Sequence, residues 1–425
     1  MNRTLIKGLN SKIGETVKLQ GWVHRLRKLG KIAFLILREH SGLVQCVVNT
    51  REVDIKGLRL ESVVEITGTV VKNDENVEIL AENIRLISEV KEELPFEINK
   101  KDIEVNLDTI LNHRVLSLRH QSLNSIFKIQ ACLTQGFIEF LKVEGFTQIF
   151  TPKIVSEGAE GGTELFELKY FEKKAYLAQS PQFYKQMMVG AGYERVFETA
   201  HVYRAEKHNT NRHLNEYVSL DLEMGFIEDE KDIMMLETRL LKSMLHKLKN
   251  ECADELNILG AKLPEIGEEI TSIPLPEAIK ILNNKYGKEL DIDIDPEGEK
   301  LIYEHVKKEY GSEFVFLTHY PMEKRPMYTM PADDGLTHSF DLIFRGLEIT
   351  TGGQRIHNFD MLKKSIESKG LNSEKFRDYL EVFKYGMPPH GGLAIGLERL
   401  TAQLIGLGNV REAALFPRDR DRITP

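Results

Sequence analysis

The sequence predicts an α+β protein: a small closed N-terminal β-barrel, then a larger part built from antiparallel strand pairs and amphipathic helices. Three observations carry this. Residues up to about 95 hold five short alternating segments separated by turn signals. The stretch Phe197–Met224, FETAHVYRAEKHNTNRHLNEYVSLDLEM, reads as two antiparallel strands joined by a polar, basic loop. Ser339–Asp360, SFDLIFRGLEITTGGQRIHNFD, alternates as strand on both sides of Arg345-Gly346, a turn signal.

The chain has 425 residues, 41% hydrophobic and 29% charged, enough for two or three domains with a large core. Apolar runs stay well short of the roughly 18 residues of a membrane span. The start, MNRTLIKGLN, lacks the apolar core of a secretion signal. Cys46, Cys132 and Cys252 are far apart and without metal-ligand spacing, which predicts reduced thiols in a cytoplasmic protein and no structural zinc. A net charge of −8 excludes a generally basic nucleic-acid binder, so any such contact must be a local patch.

The barrel strands are read as ETVKLQGWVHRL, KIAFLILREH, GLVQCVVNT, SVVEITGTVVKN and ENVEILAENIRLIS. Between the first two lies the basic run His24, Arg25, Arg27, Lys28, Lys31, with Trp22 and Phe34 beside it. Aromatics among cations suit stacked bases and phosphates, although Phe34 fits a core equally well and the run fits a solvated loop. Residues 96–122 read as a charged linker. From residue 123 the helix SLNSIFKIQACLTQGFIEFLKVEGF repeats Ile126, Cys132, Leu133, Phe137, Phe140 and Leu141 at helical spacing, with Gly145 as its stop. The extended FTQIFTPKIV follows. A second helix opens at Ser180-Pro181 and sets Gln182 and Lys185 on one face. A lysine near a helix start either is exposed or has an anionic partner. Residues 228–288 read as supporting helices.

In the first arm of the hairpin, strand periodicity puts Val202, Arg204 and Glu206 on one face. In the second, Ser219, Asp221 and Glu223 stand in file opposite Val218, Leu220, Leu222 and Met224, a polar row that faces either water or a site. The loop between them brings Lys207, His208, Arg212 and His213, cations suited to a polyphosphate. Turning at Arg345-Gly346 would carry Asp341 toward Glu348; with Thr351, these hard oxygen ligands suit Mg²⁺. Gly352-Gly353 would let backbone approach a ligand, and Arg355 offers a planar fork to a carboxylate. Arg399 sits in a helix's first turn beside Gly396, which leaves room for a flat group to stack.

RAE with the basic loop and RHLNE, then GGQR, then GLERL, resemble the ATP-binding motifs of class II aminoacyl-tRNA synthetases, and FTQIFTPKIV resembles that class's dimer-forming motif. More narrowly, EGGTELF, QSPQFYKQ, FKYGMPPHGG and the tail FPRDRDRITP resemble the aspartyl enzymes of the compact archaeal and eukaryotic type, along nearly the whole chain. The resemblance implies an anticodon-gripping OB-fold over 1–95, a hinge over 96–122 and, over 123–425, a catalytic antiparallel sheet flanked by helices. Such a homodimer would activate L-aspartate with ATP and Mg²⁺, then esterify tRNA(Asp).

The same resemblance assigns roles. Arg204 would hold the α-phosphate and the reacting aspartate, with Ala205 and Glu206 at adenine. Arg212, His213 and Leu214 would line the outer ATP site, and Gly396, Leu397, Glu398 and Arg399 its other wall. Glu348 and Thr351 would ligate Mg²⁺, with Asp341 a further candidate, and Thr351 would also touch aspartate. Glu160 would bind the ammonium, and Gln182, Lys185, Asp221 and Arg355 would complete the pocket. Lys185 and Arg355 place two cations against one side-chain carboxylate, which asparagine would leave unpaired. Departures from the pattern are Thr351 where serine is common and Leu393-Ala394-Ile395 where an aromatic or glycine is usual. An asparaginyl-tRNA synthetase and a tRNA-independent asparagine synthetase are the rival readings.

On the barrel, His24, Arg27, Phe34, Gln45 and Glu78 would read the anticodon, Phe34 stacking on its central uridine. His24 stands where some strict relatives carry a second tryptophan, so aspartylation of tRNA(Asn) as well is expected, with a separate amidotransferase converting the product.

Overall fold

The computed structural model describes residues 2–74, 76–159, 164–208 and 210–425. Glu160 and most of the EGGTELF glycine stretch lie outside the described residues. The chain divides into two compact units, Met1–Asn106 and Leu107–Pro425. Residues 96–106 therefore group with the first unit and 107–122 with the second.

In the first unit β1 (Thr16–Leu29), β2 (Ile32–Glu39), β3 (Gly42–Asn49), β4 (Val63–Asn73) and β5 (Asn76–Ser88) close into a barrel of order β1-β2-β3-β5-β4. Alternation does this: Val17, Leu19, Val23, Leu35, Leu37 and Cys46 fill the interior while their sequence neighbours face outward. Phe34 belongs to the outer set, with Ala33 and Leu35 fully buried on either side of it. The core reading of Phe34 is thereby removed.

The second unit holds α1 (Leu107–Asn112), α2 (Arg114–Ser117), α3 (Gln121–Val143), β6 (Thr147–Gln148), β7 (Ile154–Val155), β8 (Glu167–Tyr170), β9 (Lys173–Leu177), α4 (Gln182–Met188), β10 (Arg195–Tyr203) and β11 (Glu216–Gly225). It continues with α5 (Glu230–Glu251), α6 (Ala253–Leu259), β12 (Ser272–Pro274), α7 (Leu275–Tyr286), α8 (Pro296–Tyr310), β13 (Phe314–Thr318), β14 (Ser339–Phe344), β15 (Leu347–Arg355), α9 (Phe359–Ser368), α10 (Arg377–Lys384), β16 (His390–Gly396) and α11 (Leu397–Ile405). Eight strands form one sheet in the order β12-β13-β14-β15-β16-β11-β10-β6, antiparallel except at its two ends. Helix α3 is capped by His120 and stops before Gly145, whose φ of +82° only glycine adopts easily. Its apolar stripe packs with α5 and α11 against the sheet through Phe137, Phe197, Leu220, Leu240 and Leu400.

Two local readings change. Strand β10 pairs with β11 from Arg195↔Met224 to Tyr203↔Glu216 and then ends, so Arg204 and Glu206 lie in the connecting loop rather than on a strand face with Val202. Strand β11 is central in the sheet, flanked by β10 and β16. Ser219, Asp221 and Glu223 are 4%, 1% and 0% exposed, which rules out a row facing water. Arg345 and Gly346 have φ of +47° and +80° and make the two-residue turn between β14 and β15. Among the described residues no helix is long and apolar enough to cross a membrane.

Candidate active site

The loop between β10 and β11 is closed at its root by Asn215, whose amide donates to the Arg204 carbonyl at 2.6 Å while its own carbonyl accepts from Arg204 N at 2.9 Å. Arg204, Glu206, Arg212, His213 and Leu214 from this loop face Gly396 and Arg399 across a cleft of about 660 Å³, with Glu348 and Thr351 at its side. Arg399 donates to the Glu348 carbonyl at 3.2 Å and lies 3.5 Å from its carboxylate. A Cβ at Gly396 would meet the Arg399 side chain only at ordinary contact distance, so the protein itself leaves this wall open. His213 does not join the cations: burial, with Arg399 and Arg212 nearby, pulls it down to about 4, and its neutral ring lies 2.6 Å from Thr210 Oγ1. Burial pushes Glu206 up, against the pull of Arg204.

Of the three other expected cleft residues, Leu397, Glu398 and Ala205, Glu398 also lines the cleft. Leu397 turns into the hydrophobic core. The Glu398 carboxylate accepts from Val218 N with both oxygens at 3.1 Å, and burial raises it to about 8. Ala205 bonds through its amide to the Glu164 carbonyl at 2.7 Å.

Asp341 lies opposite Thr351 in the β14–β15 register, and a bulge after Leu342 puts Glu348 opposite Ile343. Thr351 Oγ1 donates to Glu348 Oε1 at 3.2 Å. Burial would raise Glu348, but Arg399, Arg325 and Arg204 together outweigh it and keep its carboxyl low. Burial wins at Asp341 and raises it, although Arg325 approaches to 2.8 Å. The glycines that follow serve the fold: a Cβ at Gly352 would sit 2.4 Å from the Phe340 ring, and one at Gly353 would sit 2.6 Å from the His338 carbonyl. It is β14, not a ligand, that comes close to them.

Beneath the cleft lies a buried charge cluster. Ser219, on the cleft wall, donates to Asp221 at 2.5 Å. Lys185 is 1% exposed and donates to Asp221 at 2.8 Å and to the Leu393 carbonyl at 3.0 Å, with Glu223 at 3.4 Å. Its helix-start position is thus matched by anions of the protein itself. Arg355 donates to Glu223 at 3.1 Å and to the Gly392 carbonyl at 3.0 Å. Burial would raise Glu223, but Arg355 and Lys185 hold it below the usual carboxylate range. Gly392 must be glycine here, since a Cβ would lie 2.1 Å from the Glu223 carboxylate. Gln182 is buried, and its Nε2 has no hydrogen-bond partner among the described residues.

Sequence reasoning missed Glu223 as a member of this cluster. Two cations here meet two carboxylates of the chain, Asp221 and Glu223, so the uncompensated positive pair expected from the sequence is not present. Also missed was the layer under it, where Tyr379 donates to Gln186 at 2.8 Å and Gln186 reaches His390 at 2.8 Å. Burial lowers His390 to about 4.

On the barrel, Arg27, Phe34 and Val47 stand side by side across β1, β2 and β3. Gln45 donates to Glu78 at 2.7 Å on the adjoining pair of strands. His24 is the extra residue of a bulge between Val23 and Arg25, which re-aims its side chain. Its Nδ1 lies 3.1 Å from Arg38, which is held bidentate by Glu61 at 2.9 and 2.6 Å. Arginine only donates, so Nδ1 accepts and a neutral ring carries its proton on Nε2.

Comparison with known proteins places these features. Residues 17–87 match the OB-fold nucleic acid binding domain. Residues 106–420 match the tRNA synthetases class II (D, K and N). An "Aspartate--tRNA(Asp/Asn) ligase" of Thermus thermophilus is 49% identical over all of both chains. One of the same name from Deinococcus radiodurans is 50% identical over 100% of this chain and 99% of its own. Among solved structures, asparaginyl-tRNA synthetase from Pyrococcus horikoshii complexed with asparaginyl-adenylate aligns over all of both chains with a TM-score of 0.94 at 30% identity. That backbone likeness extends across amino-acid specificities, and the higher sequence identity lies with the aspartate enzymes. With one family model spanning most of the chain and full-length relatives near half identical, this protein belongs to the class II tRNA synthetases of the D, K and N group.

Proposed function

We propose that the protein activates L-aspartate with ATP and transfers it to tRNA(Asp) and to tRNA(Asn). The observation that carries the choice of amino acid is the 49–50% identity over the full chain to aspartate--tRNA(Asp/Asn) ligases, and the resemblance sets Lys185 and Arg355, here paired with Asp221 and Glu223, beside the substrate side chain. Both cations only donate, which suits the two oxygens of a side-chain carboxylate; asparagine would turn its amide donors toward them. The names of the relatives, aspartate--tRNA(Asp/Asn) ligases, support the same choice over an asparaginyl enzyme.

In this reading Arg204 holds the α-phosphate and the attacking carboxylate, Glu206 meets adenine, Arg399 stacks on it, and Arg212 and a neutral His213 donate to the outer phosphates. The Glu348 carboxylate, the Thr351 hydroxyl and the Asp341 carboxyl, which is also paired with Arg325, form a hard-oxygen donor set of the kind that fits Mg²⁺. Mg²⁺ held there would offset phosphate charge. The substrate carboxylate is already ionised, so the protein supplies position and positive field rather than a base. Glu160, outside the described residues, is the proposed ammonium ligand.

The barrel carries the anticodon reading: Phe34 as a stacking face, Arg27 for phosphate, Gln45 and Glu78 for base edges. With Nδ1 turned to Arg38, the His24 ring proton is on Nε2, and the C2 carbonyl oxygens of cytosine and uracil both accept such a donor. A separate amidotransferase would then convert aspartyl-tRNA(Asn). Pyrophosphate exchange is expected with aspartate and Mg²⁺, and both unmodified tRNA transcripts are expected to be charged. Exchange equal with asparagine defeats the amino-acid assignment. Charging of tRNA(Asn) more than about a thousandfold slower, well beyond the ~1–3 kcal/mol of one base contact, defeats the relaxed one.

We also infer a homodimer, from the likeness of FTQIFTPKIV to the dimer motif and from the apolar exposure around it. Val143, the last residue of α3, is 87% exposed, and Phe150, just past β6, is 84% exposed. Light scattering should give twice 48.7 kDa; the single mass at micromolar concentration rejects the dimer.

A further inference from the structure

We propose that Glu299 is a counter-ion latch on Arg212, holding its guanidinium until the outer phosphates of the nucleotide take it. The proposal rests on the cleft being the ATP site. Glu299 comes from α8, a helix to which the sequence assigned no functional role. Arg212 Nη2 donates to Glu299 Oε1 at 2.5 Å and to Oε2 at 2.7 Å. The same Oε2 accepts from the Glu348 amide at 2.8 Å, which ties the latch to the strand carrying Glu348 and Thr351. Glu299 is only 8% exposed, so this is a charge-assisted bond with little competition from water.

Two further observations make the bond one that opens. Arg212 Nε is buried and has no hydrogen-bond partner among the described residues, so the planar fork is only partly used by Glu299. Arg212 lines the ATP cleft, whereas Glu299 lines a second, polar pocket of about 560 Å³ shared with Asp293, Lys324, Arg325 and Asp341. Glu348 borders both, so the Arg212–Glu299 pair is part of the wall between them. Once Arg212 turns to phosphate, the freed carboxylate keeps its bond from the Glu348 amide and shares the pocket with Lys324 and Arg325, which are paired with Asp293 and Asp341.

A ligand that must break an existing ion pair binds more weakly by the strength of that pair. Only a nucleotide with outer phosphates draws on Arg212, so the penalty falls on ATP and not on AMP, whose phosphate belongs to Arg204. Glu299→Gln in the full chain removes the charge and keeps an oxygen for the Glu348 amide. It is expected to lower the Kd and the exchange KM for ATP by about three- to tenfold, the strength of a partly buried charge pair, and to leave the Kd of AMP within about twofold. In an Arg212→Ala background the same change should do nothing to ATP. Weaker ATP binding in Glu299→Gln, no change, or equal shifts for ATP and AMP as a structural role would give, each overturn the latch. Arg212→Ala alone tests the underlying reading: if it leaves ATP binding unchanged, the cleft assignment fails, whereas weakened ATP with a silent Glu299→Gln sinks the latch only.

Discussion

Arg204→Ala is expected to lower aspartyl-adenylate formation by roughly 10²–10³-fold, the effect of removing one charge contact made to the reacting centre. Arg204 lies where the β10 ladder ends, its backbone fixed to Asn215 in both directions, so the side chain leaves a rigid root toward the cleft. Its charge is felt at Glu206, His213 and Glu348, three groups that line the cleft with it. The backbone bonds do not need the side chain, so the variant should fold and melt like the parent. Arg204→Lys should recover only part of the rate, since an ammonium cannot hold two oxygens at once in a planar fork. Exchange at the parental rate in Arg204→Ala would reduce this residue to a structural one.

Lys185→Met is expected to destabilise the protein by roughly 3–5 kcal/mol and to abolish aspartate-dependent exchange, because it strips a buried carboxylate of its partner. Lys185 and Asp221 are each 1% exposed, and no water can replace the lost charge. Adding Asp221→Asn should restore part of the stability by removing the orphaned charge, as read in the denaturation midpoint. It should not restore exchange, since the donor for the substrate carboxylate is still missing. A Lys185→Met enzyme of parental stability that still exchanges with aspartate would show that this cluster neither supports the fold nor selects the substrate.

Where one physical signal decides a feature, the sequence shows it. The barrel strands follow from alternation around a single core, and Ile36, Arg38 and Val47 face outward as the period requires. The two arms of the β10–β11 hairpin and the cations between them were legible because loop and strand compositions differ sharply. The sequence did not show which neighbour a residue meets across the sheet. Glu223 read as one member of a polar row, and its burial follows from Lys185, Arg355 and the side-chain-free Gly392 closing around it. Gly352 and Gly353 showed that a side chain is not tolerated there, but not that Phe340 and His338 are the reason. His213 carries the residue type of a cation, and only burial beside Arg399 and Arg212 makes it neutral. Glu299 gave no signal at all, because its importance depends entirely on a partner 87 residues earlier.

The polar row on β11 also bears on how the chain is made. Lys185 precedes Asp221 by 36 residues, but other partners come from far along the sequence: Arg355 is 132 residues beyond Glu223, and the Leu393 carbonyl that helps seat Lys185 is 208 residues beyond Lys185. The barrel needs nothing later than β5, so during synthesis it can close early, while the larger sheet waits for nearly the whole chain and folds with high contact order. Through that interval the β10–β11 hairpin presents an open edge. Until β15 arrives Glu223 lacks Arg355, and an uncompensated inward-pointing charge opposes pairing of an exposed strand with another chain. The carboxylate that Arg355 later neutralises is thus expected to guard the nascent sheet against aggregation.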